Sequence, residues 1–285
     1  MTKTAAKTRS IEIKLDVAAA PEDVWRALTD AKELMRWFPI KAEVQPGVGG
    51  RILTSWDDLS LRGFNTIAVW EPGRHLRTGW FEPNPDAESV EDEPDTIFYK
   101  DVEARRQLVV DYFLEGKGGG TVLRLVHSGF SMDESWDEEF EGHRRGWTFE
   151  LRSLRNYVEN HLGKDRHIAW ITRQIDLETA EAWSRITSNE AMLAEGSLDG
   201  LAPNDRYGLT TVHADRFEGQ VIMNEAPWLF AGTIENLDHS LLRAGVEDCT
   251  GVKTAMFWVS TWGEPTRSQA ISQRWNETFA RLFGE

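Results

Sequence analysis

The sequence predicts an α+β protein built as two tandem domains, and three features predict it. A strand-then-helix opening occurs twice: Ile11-Glu12-Ile13-Lys14-Leu15-Asp16 precedes Val24-Trp25-Arg26-Ala27-Leu28-Thr29, and Ile171-Thr172-Arg173-Gln174-Ile175-Asp176 precedes Ala182-Trp183-Ser184-Arg185-Ile186-Thr187. Each copy continues through apolar runs punctuated by turn residues, the mark of consecutive antiparallel strands joined by short loops. Each closes on an amphipathic helix carrying a tryptophan, Trp147 in one copy and Trp275 in the other.

In the first copy, alternation across Ile11, Ile13, Leu15 and Val17 predicts a half-buried strand. Pro21 suits the first position of a helix, and Glu22 and Asp23 supply negative charge where the helix dipole favours it. That helix carries Val24, Trp25 and Leu28, and a short second one covers Ala31 to Met35. Strands are expected near 42–45, 50–56, 62–71, 74–81, 96–103, 107–115 and 121–129. Pro46 to Gly50, Glu71-Pro72-Gly73 and Glu115 to Gly120 mark turns, and acidic Pro83 to Asp95 reads as a solvated loop. Ser131-Met132-Asp133-Glu134 has the form of a capping box before a long helix. Phe140, Trp147, Leu151, Leu154, Val158 and Leu162 make its apolar stripe, and Gly163 is the expected C-terminal cap.

The second copy repeats this order with shorter parts. A strand over Ile168 to Asp176 leads to a helix from Leu177 to Thr187, then polar turns to Asp205. Strands follow near Tyr207–Ala214, Gln220–Asn224, Leu229–Glu235, Leu241–Glu247 and Val252–Thr261. Pro265 opens the last helix, with Ile271, Trp275, Phe279, Leu282 and Phe283 as its buried stripe. The predicted domains are therefore 10–163 and 168–285, with Gly163 to His167 as the boundary.

Composition narrows the function. A chain of 285 residues that is 40% hydrophobic suits two ordinary domains with real cores. A net charge of −15 without a basic run argues against a nucleic-acid partner. The single cysteine, Cys249, rules out an intramolecular disulfide and a cysteine metal cluster within one chain. No apolar run approaches the ~20 residues of a membrane helix, and the polar opening residues do not form a secretory signal. A soluble, cytoplasmic chain is expected, with no membrane partner. Thirteen tryptophans suggest wide apolar interior surface, as in a sheet wrapped around a cavity.

The first copy resembles the SRPBCC (START-like) superfamily, specifically the domain named for the activator of the heat-shock-protein-ninety ATPase. The resemblance rests on Pro21 to Thr29, Leu34 to Phe38, Thr121-Val122-Leu123-Arg124-Leu125-Val126-His127-Ser128-Gly129-Phe130, and Gly146-Trp147 with the Leu151/Leu154 helix. The second copy looks like a diverged version that keeps Trp183-Ser184-Arg185-Ile186-Thr187 and the closing Trp helix. The resemblance implies two tandem helix-grip domains, each a curved antiparallel sheet around a long C-terminal helix with a cavity between them. It implies binding of hydrophobic small molecules, chemistry on them, or assistance to a chaperone, and the fold does not choose among these.

Candidate site residues follow from strand parity. His127 shares a face with Thr121, Leu123 and Leu125, opposite Arg124 and Ser128, and so points inward. Tyr112 lies with Leu108, Val110 and Leu114, opposite Asp111. Trp56, Trp80 and Trp147 are the expected aromatic wall, with Trp37 and Phe38 at the entrance and Leu151 completing the set. For each of these residues plain core packing is the competing role, and for His127 it is a structural hydrogen bond. The carboxylates from Asp133 to Glu141 lack the spacing and glycine of a calcium loop, so no metal and no cofactor is expected. Gly118-Gly119-Gly120 reads as a hairpin turn rather than a phosphate loop. The leading expectation is binding of a hydrophobic or aromatic small molecule in the first domain, without catalysis. The alternatives are a cyclase or hydrolase using His127 and Tyr112 as acid–base groups, and a protein-binding module of the chaperone-cofactor kind using its acidic surface.

Overall fold

Alternating apolar residues give β1 (Thr8–Val17), where Ile11, Leu15 and Val17 are buried and the charged residues between them are exposed. The computed structural model describes residues 7–56, 61–79, 107–248 and 252–284. Pro21 occupies the first turn of α1 (Pro21–Thr29), which buries Val24, Trp25 and Leu28. The Asp30 side chain accepts from the Glu33 amide at 3.0 Å and so caps α2 (Ala31–Met35).

Six further strands complete the first sheet: β2 (Lys41–Val44), β3 (Arg51–Trp56), β4 (Leu61–Glu71), β5 (His75–Gly79), β6 (Val109–Lys117) and β7 (Gly120–Ser131). All pairs are antiparallel, in the order β1-β7-β6-β5-β4-β3-β2. Gly118 and Gly119 sit at φ +60° and +85° between the paired Lys117 and Gly120, the two-residue hairpin the glycines predict. The expected strand 96–103, the acidic loop 83–95 and Trp80 lie outside the described residues.

A β-bulge interrupts the β1–β7 register between Arg9 and Ser10, facing Phe130 and Ser128. Gly129 lies there at φ +100°, and a Cβ on it would come within 1.8 Å of the Gln107 carbonyl oxygen. The glycine of the His127-Ser128-Gly129-Phe130 motif is thus a bulge residue that no side chain could replace without moving the backbone.

The expected capping box does not form. Ser131 Oγ accepts from the Asp133 amide at 3.1 Å, and the Asp133 carboxylate accepts from the Ser135 amide at 2.9 Å. These two local turns start a 3-10 turn over Glu134–Trp136, from which α3 (Asp137–Asn160) continues. Leu151, Leu154 and Val158 are buried as the stripe predicts, but Leu162 is 39% exposed. The helix ends when His161 leaves helical geometry at φ −134°, which carries Leu162 off the stripe. Gly163, at φ +83°, then donates its N–H to the Tyr157 hydroxyl at 3.0 Å.

The chain divides into two compact units, Met1–Gly163 and Lys164–Glu285. In the second, β8 (Arg166–Gln174) and α4 (Thr179–Ile186) precede β9 (Arg206–Thr210), β10 (Arg216–Glu225), β11 (Leu229–Ile234), β12 (Ser240–Asp248), β13 (Lys253–Trp262) and α5 (Thr266–Phe283). Its sheet runs β8-β13-β12-β11-β10-β9, again with the opening strand beside the last one. The strand expected to reach Ala214 stops at Thr210, because the chain turns there with Ala214 at φ +59°. The segment read as polar turns before Asp205 buries Ala191 and Met192 completely. Among the described residues, no helix is long and apolar enough to cross a membrane.

Candidate functional site

Strand pairing assembles the site on one face of the first sheet. Val110 lies opposite His127 and Tyr112 opposite Leu125, so Tyr112 and His127 are diagonal neighbours on the same face. Thr121, Leu123 and Leu125 share that face and are buried. Against it α3 brings Phe140, His143 and Trp147.

The Trp147 indole Nε1–H donates to His127 Nδ1 at 2.9 Å. The His127 ring also meets Phe130 edge to face at 4.5 Å between centroids and His143 at 5.1 Å. Tyr112 meets the Trp147 ring edge to face at 6.0 Å. Phe38 stacks on Trp147 at 5.9 Å and on Trp37 at 5.1 Å, and its ring meets the Trp56 edge at 5.1 Å. Six of the eight expected site residues therefore join one aromatic group: Trp37, Phe38, Trp56, Tyr112, His127 and Trp147. Leu151, 1% exposed, follows one helical turn after Trp147, and Trp80 lies outside the described residues.

Trp37 is not at an entrance. It is 1% exposed, its indole N–H donates to the Ala27 carbonyl at 2.8 Å, and its own carbonyl accepts from Ser153 Oγ at 2.8 Å. These bonds tie the end of α2 to α1 and α3, so Trp37 serves as the anchor behind Phe38.

Burial sets the charge state. Desolvation holds His127 well below the ordinary histidine pKa, with the neighbouring His143 adding to the effect. Burial lowers His143 as well, against the opposing hydrogen bond from its Nδ1–H to the Glu139 carbonyl at 2.9 Å. Desolvation raises the Tyr112 hydroxyl far above its ordinary value. All three are neutral near pH 7. Because His127 Nδ1 accepts from Trp147, the proton of its neutral ring is on Nε2. His127 then has no lone pair left with which to act as a base, and it presents a donor. Among the described residues neither that Nε2–H nor the Tyr112 hydroxyl has a hydrogen-bond partner, and the two side chains keep a little accessible surface, at 4% and 8%.

Sequence reasoning missed a second polar group, on the opposite face of the same sheet. Asp111 is 5% exposed and accepts from His75 Nε2 at 2.6 Å and from Arg77 Nε at 2.8 Å. Arg77 is directly opposite Asp111 in the β5–β6 register, so pairing the two strands on paper would have found the contact. Among the described residues, no cluster of His, Cys, Asp and Glu is arranged to hold a metal ion. The second unit has an open groove of about 600 Å³ between Val212-His213 and the last turns of α5, where His213 Nε2 is bonded to Thr278 Oγ1 at 2.8 Å.

Residues 18–159 match the family described as activator of Hsp90 ATPase homolog 1-like protein. Among solved structures, the chain is similar to the Aha1 dimer from Colwellia psychrerythraea, at 18% identity and TM-score 0.41, over 54% of this chain and 99% of that one. It is similar to CalU16 from Micromonospora echinospora at 24% identity and TM-score 0.35, covering 54% and 81% of the two chains. DynU16, a protein of the dynemicin biosynthetic locus, is similar over 96% of both chains, at 15% identity and TM-score 0.40. No curated protein matches the sequence.

Proposed function

With its first unit a member of the activator of Hsp90 ATPase homolog 1-like family, we propose that this chain binds an apolar or aromatic small molecule between the first sheet and the N-terminal half of α3. One contrast along α3 carries the proposal. Its C-terminal half is sealed, with Phe149, Leu151, Leu154, Tyr157 and Val158 all buried. Its N-terminal half seals no residue completely, although Phe140, His143 and Trp147 pack toward the sheet. Phe38, Trp56, Trp136, Phe140 and Trp147 are all only half-buried. Large aromatic side chains that face the sheet yet keep accessible surface are what an apolar binding site with few polar groups requires. We read the second unit as a diverged copy of the first on the shared strand order, which makes 10–163 and 168–285 two tandem START-like domains.

The test uses the full chain and N-phenyl-1-naphthylamine, a neutral apolar dye whose emission rises on binding. The dye should bind, and Phe38→Ala or Trp56→Ala should weaken it on the order of 10-fold, the loss expected for one aromatic contact plus its buried area. Dye binding that neither substitution changes would refute the site. Native mass spectrometry of the freshly purified chain, searching for a retained small molecule, gives an independent readout.

A further inference from the structure

We infer that the occupant of this site is a planar aromatic compound bearing a neutral acceptor oxygen, such as an aryl ketone, held by the His127 Nε2–H and the Tyr112 hydroxyl beside the Trp147 ring. The inference rests on the ligand-binding reading above and sharpens it to a chemical class. Trp147 enters as a positioning residue, because its hydrogen bond to His127 Nδ1 fixes which ring nitrogen carries the proton.

Three observations converge. The wall is made of ring faces and edges: Phe38 stacks on Trp147, and Tyr112 and His127 flank Trp147 with centroids 6.0 and 6.1 Å away. A flat apolar ligand suits such a wall, since aromatic groups gain from offset and edge contacts beyond their buried area. The two polar groups that flank Trp147, His127 and Tyr112, present donors. The indole N–H has no acceptor capacity and is already spent on Nδ1, so His127 can only offer Nε2–H, and Tyr112 has a hydroxyl proton with no partner among the described residues. Both donors lie on one face of the sheet as diagonal neighbours with a little accessible surface, so a ligand oxygen could take the place of water on them. The donors are also neutral. The nearby guanidinium of Arg9 lies over Phe140 at 4.3 Å and is paired with Asp137 at 2.5 Å, so its charge is already balanced. Two neutral donors do not offset the desolvation of a carboxylate, which leaves an uncharged acceptor as the matching group.

The experiment displaces N-phenyl-1-naphthylamine from the full chain with two near-isosteric compounds, 2-acetylnaphthalene and 2-ethylnaphthalene, and with 2-naphthoate. The ketone should displace the dye on the order of 10-fold more effectively than the ethyl compound, the worth of one to two hydrogen bonds. That preference should shrink to about 3-fold or less in Tyr112→Phe, which keeps the ring and removes only the hydroxyl. In a long-range proton–nitrogen correlation spectrum, His127 should show a protonated Nε2 and a bare Nδ1, and Trp147→Phe should mix or invert that pattern. Equal displacement by ketone and ethyl compound would overturn the donor pair while leaving the apolar site standing, and so would tighter binding of naphthoate. Failure of the dye to bind at all would bring down both readings. A protonated Nδ1 in the unaltered chain would overturn the role given to Trp147.

Discussion

The hydrogen bond from Trp147 to His127 makes a prediction that can be worked through in numbers. Trp147→Phe leaves His127 Nδ1 as a buried acceptor without its donor. Such an orphan costs about 1–3 kcal/mol, and the lower half of that range applies here because Trp147 is only half-buried and water could reach the gap. Replacing an indole by a phenyl ring also removes roughly 40 Å² of apolar contact, about 1 kcal/mol. The single substitution should therefore destabilise the first unit by roughly 2–3 kcal/mol. His127→Leu does the converse and strands the indole N–H, at about 1–2 kcal/mol. In the double variant neither atom is stranded, so the two losses should fall short of additive by about 1–2 kcal/mol. Hydrogen exchange read by mass spectrometry on peptides covering β6 and β7 reports the first unit's sheet separately from the second unit. A coupling below about 0.3 kcal/mol would mean that the two side chains do not interact as described, and the assignment of His127 as a donor would fall with it.

Two further outcomes follow from the same geometry. His127 and His143 are held neutral with lowered pKa values, so the unfolded chain binds more protons than the native one as pH falls below about 6.5. Stability should accordingly be full above that pH and decline on acidification, by up to ~1.4 kcal/mol per pH unit for each histidine, until the native pKa is reached. Melting temperatures between pH 7.5 and 5.5 check this, and His143→Gln should flatten the slope; an unchanged slope would contradict the burial argument. Gly129→Ala should cost about 3 kcal/mol or more, because its Cβ would meet the Gln107 carbonyl at 1.8 Å. Gly118→Ala, with open space around it, should cost about 1 kcal/mol. Urea midpoints compare the two, and equal losses would argue against the bulge.

Parity carried most of what could be read in advance. The side-chain period of two in β7 places His127 with Leu123 and Leu125, and the same period in β6 places Tyr112 with Val110, so the inward set follows from residue order alone. What parity cannot supply is depth. Trp37 and Phe38 are adjacent in sequence, yet one is sealed behind hydrogen bonds to Ala27 and Ser153 while the other remains half-exposed. Those partners lie 10 and 116 positions away, and only the packing of α3 against α1 and α2 decides which aromatic is anchor and which is wall. Asp111 eluded the reading for a related reason. A carboxylate on the outward parity is expected to be solvated, but the His75 and Arg77 side chains from β5 close over it. The capping signal before α3 failed differently, because Ser131 and Asp133 found nearer amides to bond before the helix began.

The two closing helices differ in how they are buried, and that difference supports placing the proposed ligand site in the first unit. α5 has 18 residues and is buried from its first turn onward, through Ser268, Ile271, Trp275, Thr278 and Phe279. Its Trp275 is 0% exposed and stacked on Phe257 at 3.5 Å. That packing is tight enough to leave the Trp275 indole N–H buried without a hydrogen-bond partner among the described residues. α3 has 24 residues and reaches its first buried side chain only at Phe149, half its length in. Its Trp147 keeps accessible surface and gives its N–H to a histidine. The closing helix is thus buried along its length in the second unit and only over its C-terminal half in the first. The half-buried aromatic residues of α3, with the neutral donors beside them, are the observation on which the proposed ligand site rests.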